Sequence, residues 1–261
     1  MVSSRKNFAF CHKDFKFTIT LAVHLRHARI RELEISGIYQ RLWSEAAAAF
    51  ERGEHKIDPH LSDKANDRRR GVTLICRPSP SVREAVADYI SRLAKACPGQ
   101  YFYRPEELHI TVLSIISGTE LWEREMSRLD ACRPIIGEVL GRCRPFKIHF
   151  RGVTASPDSV LIQGFPVGDD LATIRDELRA AFASHGLGDM PDRRYKATTA
   201  HMTVMRFSKP CPDLKPSLSL LQASREMDFG ECEVGAIQLI LGDWYGSAES
   251  VQVFQEYRLS V

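Results

Sequence analysis

One pattern occurs twice in this chain, and it constrains the fold more than any other feature. The first copy reads Tyr103-Arg104, four residues, then His109-Ile110-Thr111-Val112-Leu113; the second reads Tyr195-Lys196, four residues, then His201-Met202-Thr203-Val204-Met205. With nine His in the chain, a single His-x-Thr pair arises readily by accident. Two copies, each followed by Val and each preceded at the same offset by Tyr and a base, point instead to internal duplication.

The surrounding elements recur in the same order. From Gly71, the text GVTLICRP reads as a strand stopped by Pro78. A helix with Val82, Val86, Ile90 and Leu93 on one stripe follows, ending at Pro98 and Gly99. Leu108–Ile116 reads as a strand, 119–143 as a helix broken at Pro134, and 146–154 as a strand. The order then restarts: a strand over 159–166, an amphipathic helix between Asp169 or Asp170 and Gly186, a strand over 199–207, a helix near 213–224, and strands near 233–242 and 250–259. The expected fold is α+β and bilobal, two β-α-β-α-β units whose sheets face a central groove. The expected division is lobe one over 71–157 and lobe two over 158–261.

Residues 1–70 differ in character. They hold 14 Lys and Arg against 9 Asp and Glu, whereas residues 71–261 hold 22 against 24, so the net +3 of the chain belongs to the first quarter. A helix is expected over 36–51, then a polar linker over 53–70, making this a basic N-terminal extension that offers a contact for RNA, densest at Arg68-Arg69-Arg70. The duller reading of those arginines is a soluble boundary. His24 and His27 lack the Cys or carboxylate company of a metal site, so no metal and no cofactor is expected.

Seven cysteines without a C-x-x-C pair read as reduced, mostly buried thiols in the cytoplasm. The apolar run Phe17–Val23 is too short to span a bilayer, and although Lys6, Lys13 and Lys16 lie before or at its edge, no small-x-small cleavage signal follows. No membrane partner is expected, and the sequence does not define an oligomeric state.

The repeated motif has chemical content. In a strand, residues i and i+2 share a face, so His109 projects with Thr111 and His201 with Thr203, while Ile110 and Val112 enter the core. Two facing imidazoles suit a phosphodiester: the neutral one takes a proton from the attacking oxygen, the protonated one gives a proton to the leaving oxygen, and each Thr hydroxyl donates to a non-bridging oxygen.

The pair of His-Φ-Thr-Φ motifs, 92 residues apart in a duplicated α+β unit, resembles the two-histidine (2H) phosphoesterase superfamily, which includes the 2'-5' RNA ligase-like proteins and cyclic phosphodiesterases. The resemblance covers about residues 71–261 and is most similar to the bacterial branch. It implies hydrolysis or transesterification of 2',3'-cyclic or 2'-5' phosphodiesters without a metal. Carried over by position, it implies His109 and His201 as the acid–base pair and Thr111 and Thr203 as phosphate ligands. Which His is acid and which is base stays open at this point.

Around these four, Tyr103, Arg104, Tyr195, Lys196 and Trp244 are candidates for substrate binding, and Arg193 and Arg194 for a local phosphate site. The tyrosines either close the groove or anchor the strand entrances as core aromatics. Trp244 and Tyr245 either stack on a nucleobase or pack as a turn on the sheet end. The slightly acidic body favours a small nucleotide or cyclic phosphate over long RNA. Competing readings are a module that binds a nucleotide or RNA without turnover, and an enzyme running in the ligation direction.

Overall fold

The computed structural model describes residues 12–260. Helix α1 (His12–Glu51) runs well ahead of the expected start at 36. A short 3-10 helix (Pro59–Asn66) leads to β1 (Arg70–Cys76), α2 (Pro80–Ala96), β2 (Tyr101–Phe102) and β3 (Ile110–Thr119). Then come α3 (Trp122–Met126), α4 (Leu129–Leu140), β4 (Phe146–Ser156), β5 (Ser159–Val167), α5 (Asp170–Ser184), β6 (Met202–Arg206), α6 (Lys215–Ala223), β7 (Asp228–Val234), β8 (Ala236–Asp243) and β9 (Gln252–Arg258). His24, His27 and the run from Phe17 lie where only the helix is described, so their side-chain readings fall outside the described residues. No helix among the described residues is long and apolar enough to cross a membrane.

The strands form two antiparallel sheets, ordered β3-β1-β8-β9 and β2-β6-β5-β4-β7. Central β5 is buried without interruption from Ser159 to Phe165, as a strand covered on both faces must be. The α+β duplication is visible as β1 beside β3 in one sheet and β5 beside β6 in the other.

The division at 157/158 is corrected by this topology. β4 leaves the first unit to pair with β5 and β7, while β8 returns from the C-terminal end to pair with β1 and β9 adds to the outer edge of β8. The single expected strand at 233–242 is likewise two strands, β7 and β8, joined only through Gly235, where the chain passes from one sheet to the other. Hairpin pairing of β4 with β5 across Pro157 and Asp158 is local and loses little loop entropy, which favours it over a return to β1.

The helical region before β4 breaks at Ser127–Arg128, and Pro134 sits inside α4. One face of α4 buries Leu129, Cys132, Ile135, Ile136, Val139 and Leu140, and this burial outweighs the one backbone bond that Pro134 cannot make.

Residues 39–70 are built into the body. In α1, Tyr39, Ala46, Ala49 and Phe50 are buried; the Tyr39 hydroxyl donates to Gly164 O at 3.1 Å, and the Thr154 hydroxyl donates to Tyr39 O at 3.1 Å. Further on, Lys56 N donates to Pro157 O and Asp58 N to Phe207 O, on the five-stranded sheet. The Asp58 carboxylate then accepts from the Tyr245 hydroxyl, at 3.0 Å, on the turn after β8. Arg69 is held by Asp67 and Tyr245, and Arg70 by the Asp67 and Arg69 carbonyls, which leaves Arg68 as the exposed member of the run.

Candidate active site

His109, Thr111, His201 and Thr203 line one cleft between the two sheets. Ile110, Val112, Met202 and Val204 are buried on the other side of their strands, as alternation requires. β1 contributes Thr73 and Ile75 to the cleft, and β8 contributes Ile240 and Gly242.

Both motif strands are bulged next to the motif. The pairing of β1 with β3 steps from Leu74–Leu113 to Ile75–Thr111, and that of β5 with β6 from Val160–Met205 to Leu161–Thr203. Each bulge inserts one residue and shifts the inward face from i+2 to i+3. Ser114 and Arg206, on the wrong parity in a regular strand, therefore join Thr111 and Thr203 in the cleft. A second shift in β3, between Thr73–Ser114 and Val72–Ile116, adds Ser117, whose buried hydroxyl has no hydrogen-bond partner among the described residues.

Each imidazole is held through Nδ1 by the residue two positions earlier. His109 Nδ1 lies 2.7 Å from Glu107 O, and a carbonyl only accepts, so Nδ1 carries a proton there and Nε2 is left for the cleft. His201 Nδ1 lies 2.8 Å from the Thr199 hydroxyl, which accepts or donates, and again Nε2 is left. Gly246, with φ +68°, lies against the His109 ring, where an added Cβ would come within 2.9 Å of Cε1. This contact requires glycine twice over, for the left-handed backbone and for the close approach.

Both imidazoles are pushed below the ordinary histidine value. For His109 burial is the main cause, opposed by the Glu107 carbonyl and assisted by Arg77 and Arg206. His201 is lowered to about 4, by burial first and then by Arg175, His109 and Arg206. The carbonyl partner stabilises a proton on His109, and His201 has no such partner.

Arg206 completes the arrangement. Its Nε donates to the Tyr103 hydroxyl at 3.0 Å, and Asp158 is 3.8 Å from Nη1. Tyr103 is buried and lines the cleft, whereas its counterpart Tyr195 lines it at 58% exposure. Trp244 stands at the mouth with the Arg194 guanidinium 4.2 Å and the Arg69 guanidinium 5.3 Å from its ring centroid, and Gly118 packs against its edge.

Three expected contributors lie elsewhere. Arg104 is absent from the cleft lining because Glu107 and Glu249 hold its guanidinium. Lys196 lines a different cavity, between α1 and α5, and Arg193 is paired with Glu125 at 3.1 Å. Arg206 and Ser114 escape strand-alternation reasoning because parity excludes them.

Two antiparallel sheets, each giving one His-x-Thr pair to a shared cleft, define the class of two-histidine phosphoesterases. Residues 78–243 match the 2'-5' RNA ligase superfamily, and the chain belongs to that family. In structure it is similar to TT0787 of Thermus thermophilus, with 19% identity, a TM-score of 0.53, and coverage of 72% of this chain and 97% of the other. A structure described as a phosphoesterase gives 11% identity and a TM-score of 0.53, covering 74% of this chain and 99% of its own. At these identities the likeness establishes the fold alone. No curated protein matches the chain in sequence.

Proposed function

We propose that this chain is a phosphodiesterase that opens a 2',3'-cyclic or 2'-5' phosphodiester of a nucleotide or short RNA end, with no metal in the reaction. The observation that carries the reading is the convergence of His109, Thr111, His201, Thr203 and Arg206 on one cleft. Those side chains supply every role the displacement needs.

In the proposed step, His201 Nε2 takes a proton from a water whose oxygen attacks phosphorus. The bond from phosphorus to the ribose oxygen breaks, and His109 Nε2 gives that oxygen its proton. The carbonyl bond of His109, which favours its protonated form, and the lack of such a partner on His201 support this division of roles. Thr111 and Thr203 donate to the non-bridging oxygens, and Arg206 balances the charge that develops on them. Trp244, Tyr195 and Arg194 form the mouth against which a nucleoside rests.

A panel of 2',3'-cyclic mononucleotides and 2'-5' dinucleotides, assayed in excess EDTA, tests the reading. Turnover that is lost in His109→Asn and His201→Asn supports it. No turnover across the panel, with tight binding by calorimetry, replaces it with the binding module. Joining of a 2',3'-cyclic end to a 5'-hydroxyl end would assign the ligation direction. A cytoplasmic setting belongs to the same reading, supported by six free thiols among the described residues.

A further inference from the structure

Arg175, on α5, is 3% exposed and has no carboxylate within 4 Å among the described residues. Its partners are three backbone carbonyls. Nε donates to Val112 O at 2.8 Å, and Nη2 donates to both Thr111 O and Thr199 O, each at 2.8 Å. Burying an uncompensated guanidinium is unfavourable, and an apolar side chain of similar size would pack α5 without that penalty. The position of the three carbonyls supplies a reason for the charge. Thr111 and Val112 belong to the first motif, in one sheet; Thr199 leads into the second motif, in the other, and its hydroxyl holds His201 Nδ1.

Resting on the phosphodiesterase reading, we propose that Arg175 is a positioning residue of the cleft. Its guanidinium fork ties the two motif strands together at the spacing that lets His109 and His201 address one phosphate, and through Thr199 it sets the orientation of the His201 ring. The fork geometry matters: the rigid, planar donor set spans two strands at once, which a single ammonium does not.

The same charge acts on His201. The cations and titratable groups that face this imidazole are Arg175 from α5, His109 from the opposite motif and Arg206 from its own strand, and all three oppose its protonation in addition to burial. Tyr39, from α1, reaches the same Thr199–Ala200 segment but is pushed up to about 12 by burial and stays neutral. No carboxylate among the described residues counters them, so removing Arg175 shifts His201 towards protonation.

The test uses the full chain with Arg175→Met and Arg175→Lys, read by kcat/KM on a 2',3'-cyclic mononucleotide, by melting temperature, and by NMR titration of the His201 ring. Arg175→Met is expected to lose roughly 100-fold in kcat/KM, the effect of a small misplacement of reacting groups, and to titrate His201 at higher pH than wild type. Arg175→Lys keeps the charge without the fork, so its His201 titration stays near wild type while kcat/KM remains low. Wild-type kcat/KM in both variants overturns the proposal, as does a loss of activity and melting temperature in Arg175→Met with His201 titration unchanged. If Arg175→Met does not fold, Arg175→Lys decides by its kcat/KM: low activity in a folded protein supports the fork, wild-type activity overturns it. Should the wild type cleave none of the substrates, the phosphodiesterase reading fails separately, and NMR still measures the Thr199-linked geometry of His201: an unmoved His201 titration and ring shift in both variants overturns the positioning role.

Discussion

The Tyr103 hydroxyl and Arg206 Nε lie 3.0 Å apart, joining a residue of the first repeat to the motif strand of the second. The backbone makes the same crossing: Tyr103 N donates to Val204 O at 3.1 Å, and Tyr101 and Phe102 pair with Arg206 and Met205. The segment ahead of the first motif therefore adds to the sheet of the second. Tyr103 is consequently a buried support for Arg206, while its sequence counterpart Tyr195 faces the open cleft.

In the proposed reaction, replacing either imidazole removes one proton transfer. His109→Asn and His201→Asn are each expected to lower kcat/KM by about 100- to 10,000-fold. Thr111→Val and Thr203→Val each remove one donor to the phosphate and are expected to cost on the order of 100-fold. Steady-state rates on a 2',3'-cyclic nucleotide, with melting temperatures as the control for folding, check both.

In the proposed reaction, the pH dependence of kcat/KM follows from the two depressed imidazoles. The base is active when His201 is deprotonated, so activity rises as pH passes about 4; the acid is active when His109 is protonated, so activity falls as pH rises through a value below 6.5. The optimum is expected on the acid side of pH 6.5. Bound phosphate favours the His109 proton, so the alkaline limb of kcat is expected at higher pH than that of kcat/KM. An alkaline optimum for kcat/KM would count against these two depressed imidazoles as the acid–base pair.

Stability should fall on acidification. An unfolded His201 binds its proton near pH 6.5, the folded one only near 4, so the unfolded chain holds more protons between these values and gains on the native state as pH drops. The shift corresponds to a loss on the order of 3 kcal/mol across that window. Urea denaturation at about pH 7 and about pH 4.5 should show a smaller difference in His201→Asn than in wild type.

Tyr245→Phe removes a hydroxyl that donates to Asp58 and accepts from Arg69 Nη2 at 3.2 Å, in a residue 1% exposed. It leaves Asp58 short of a partner where the N-terminal segment meets the cleft wall. A destabilisation of about 1–3 kcal/mol is expected by urea denaturation.

Trp244→Ala should raise KM for a cyclic nucleotide with kcat little changed, because a platform at the mouth binds ground and transition states alike. The loss expected for a stacked base is about 1–3 kcal/mol. An unchanged KM would assign Trp244 to the packing of Arg194 and Arg69 alone.

Much of the site is legible in the sequence because the motif is local. Repeated strand text is enough to put His109, Thr111, His201 and Thr203 on inward faces, and Pro and Gly stops bound α2 and α5 well. The neighbours are less legible. Arg104 and Lys196 stand at matching offsets from their histidines, yet Glu107 and Glu249 engage one and a cavity beside α5 takes the other. Alternation places Arg206 opposite Thr203, and only a bulge brings it round.

The sequence by itself determined the repeated motif, most strands and helices of residues 71–261 and the identity of the candidate reacting groups, since these rest on residue type and on periodicities of about two and 3.6. The tertiary structure decided which sheet each strand joined, where the bulges fell, and that Arg175 and Arg206 belong with the motif. Those outcomes depend on pairing register and on partners far along the chain, where no local preference distinguishes the alternatives.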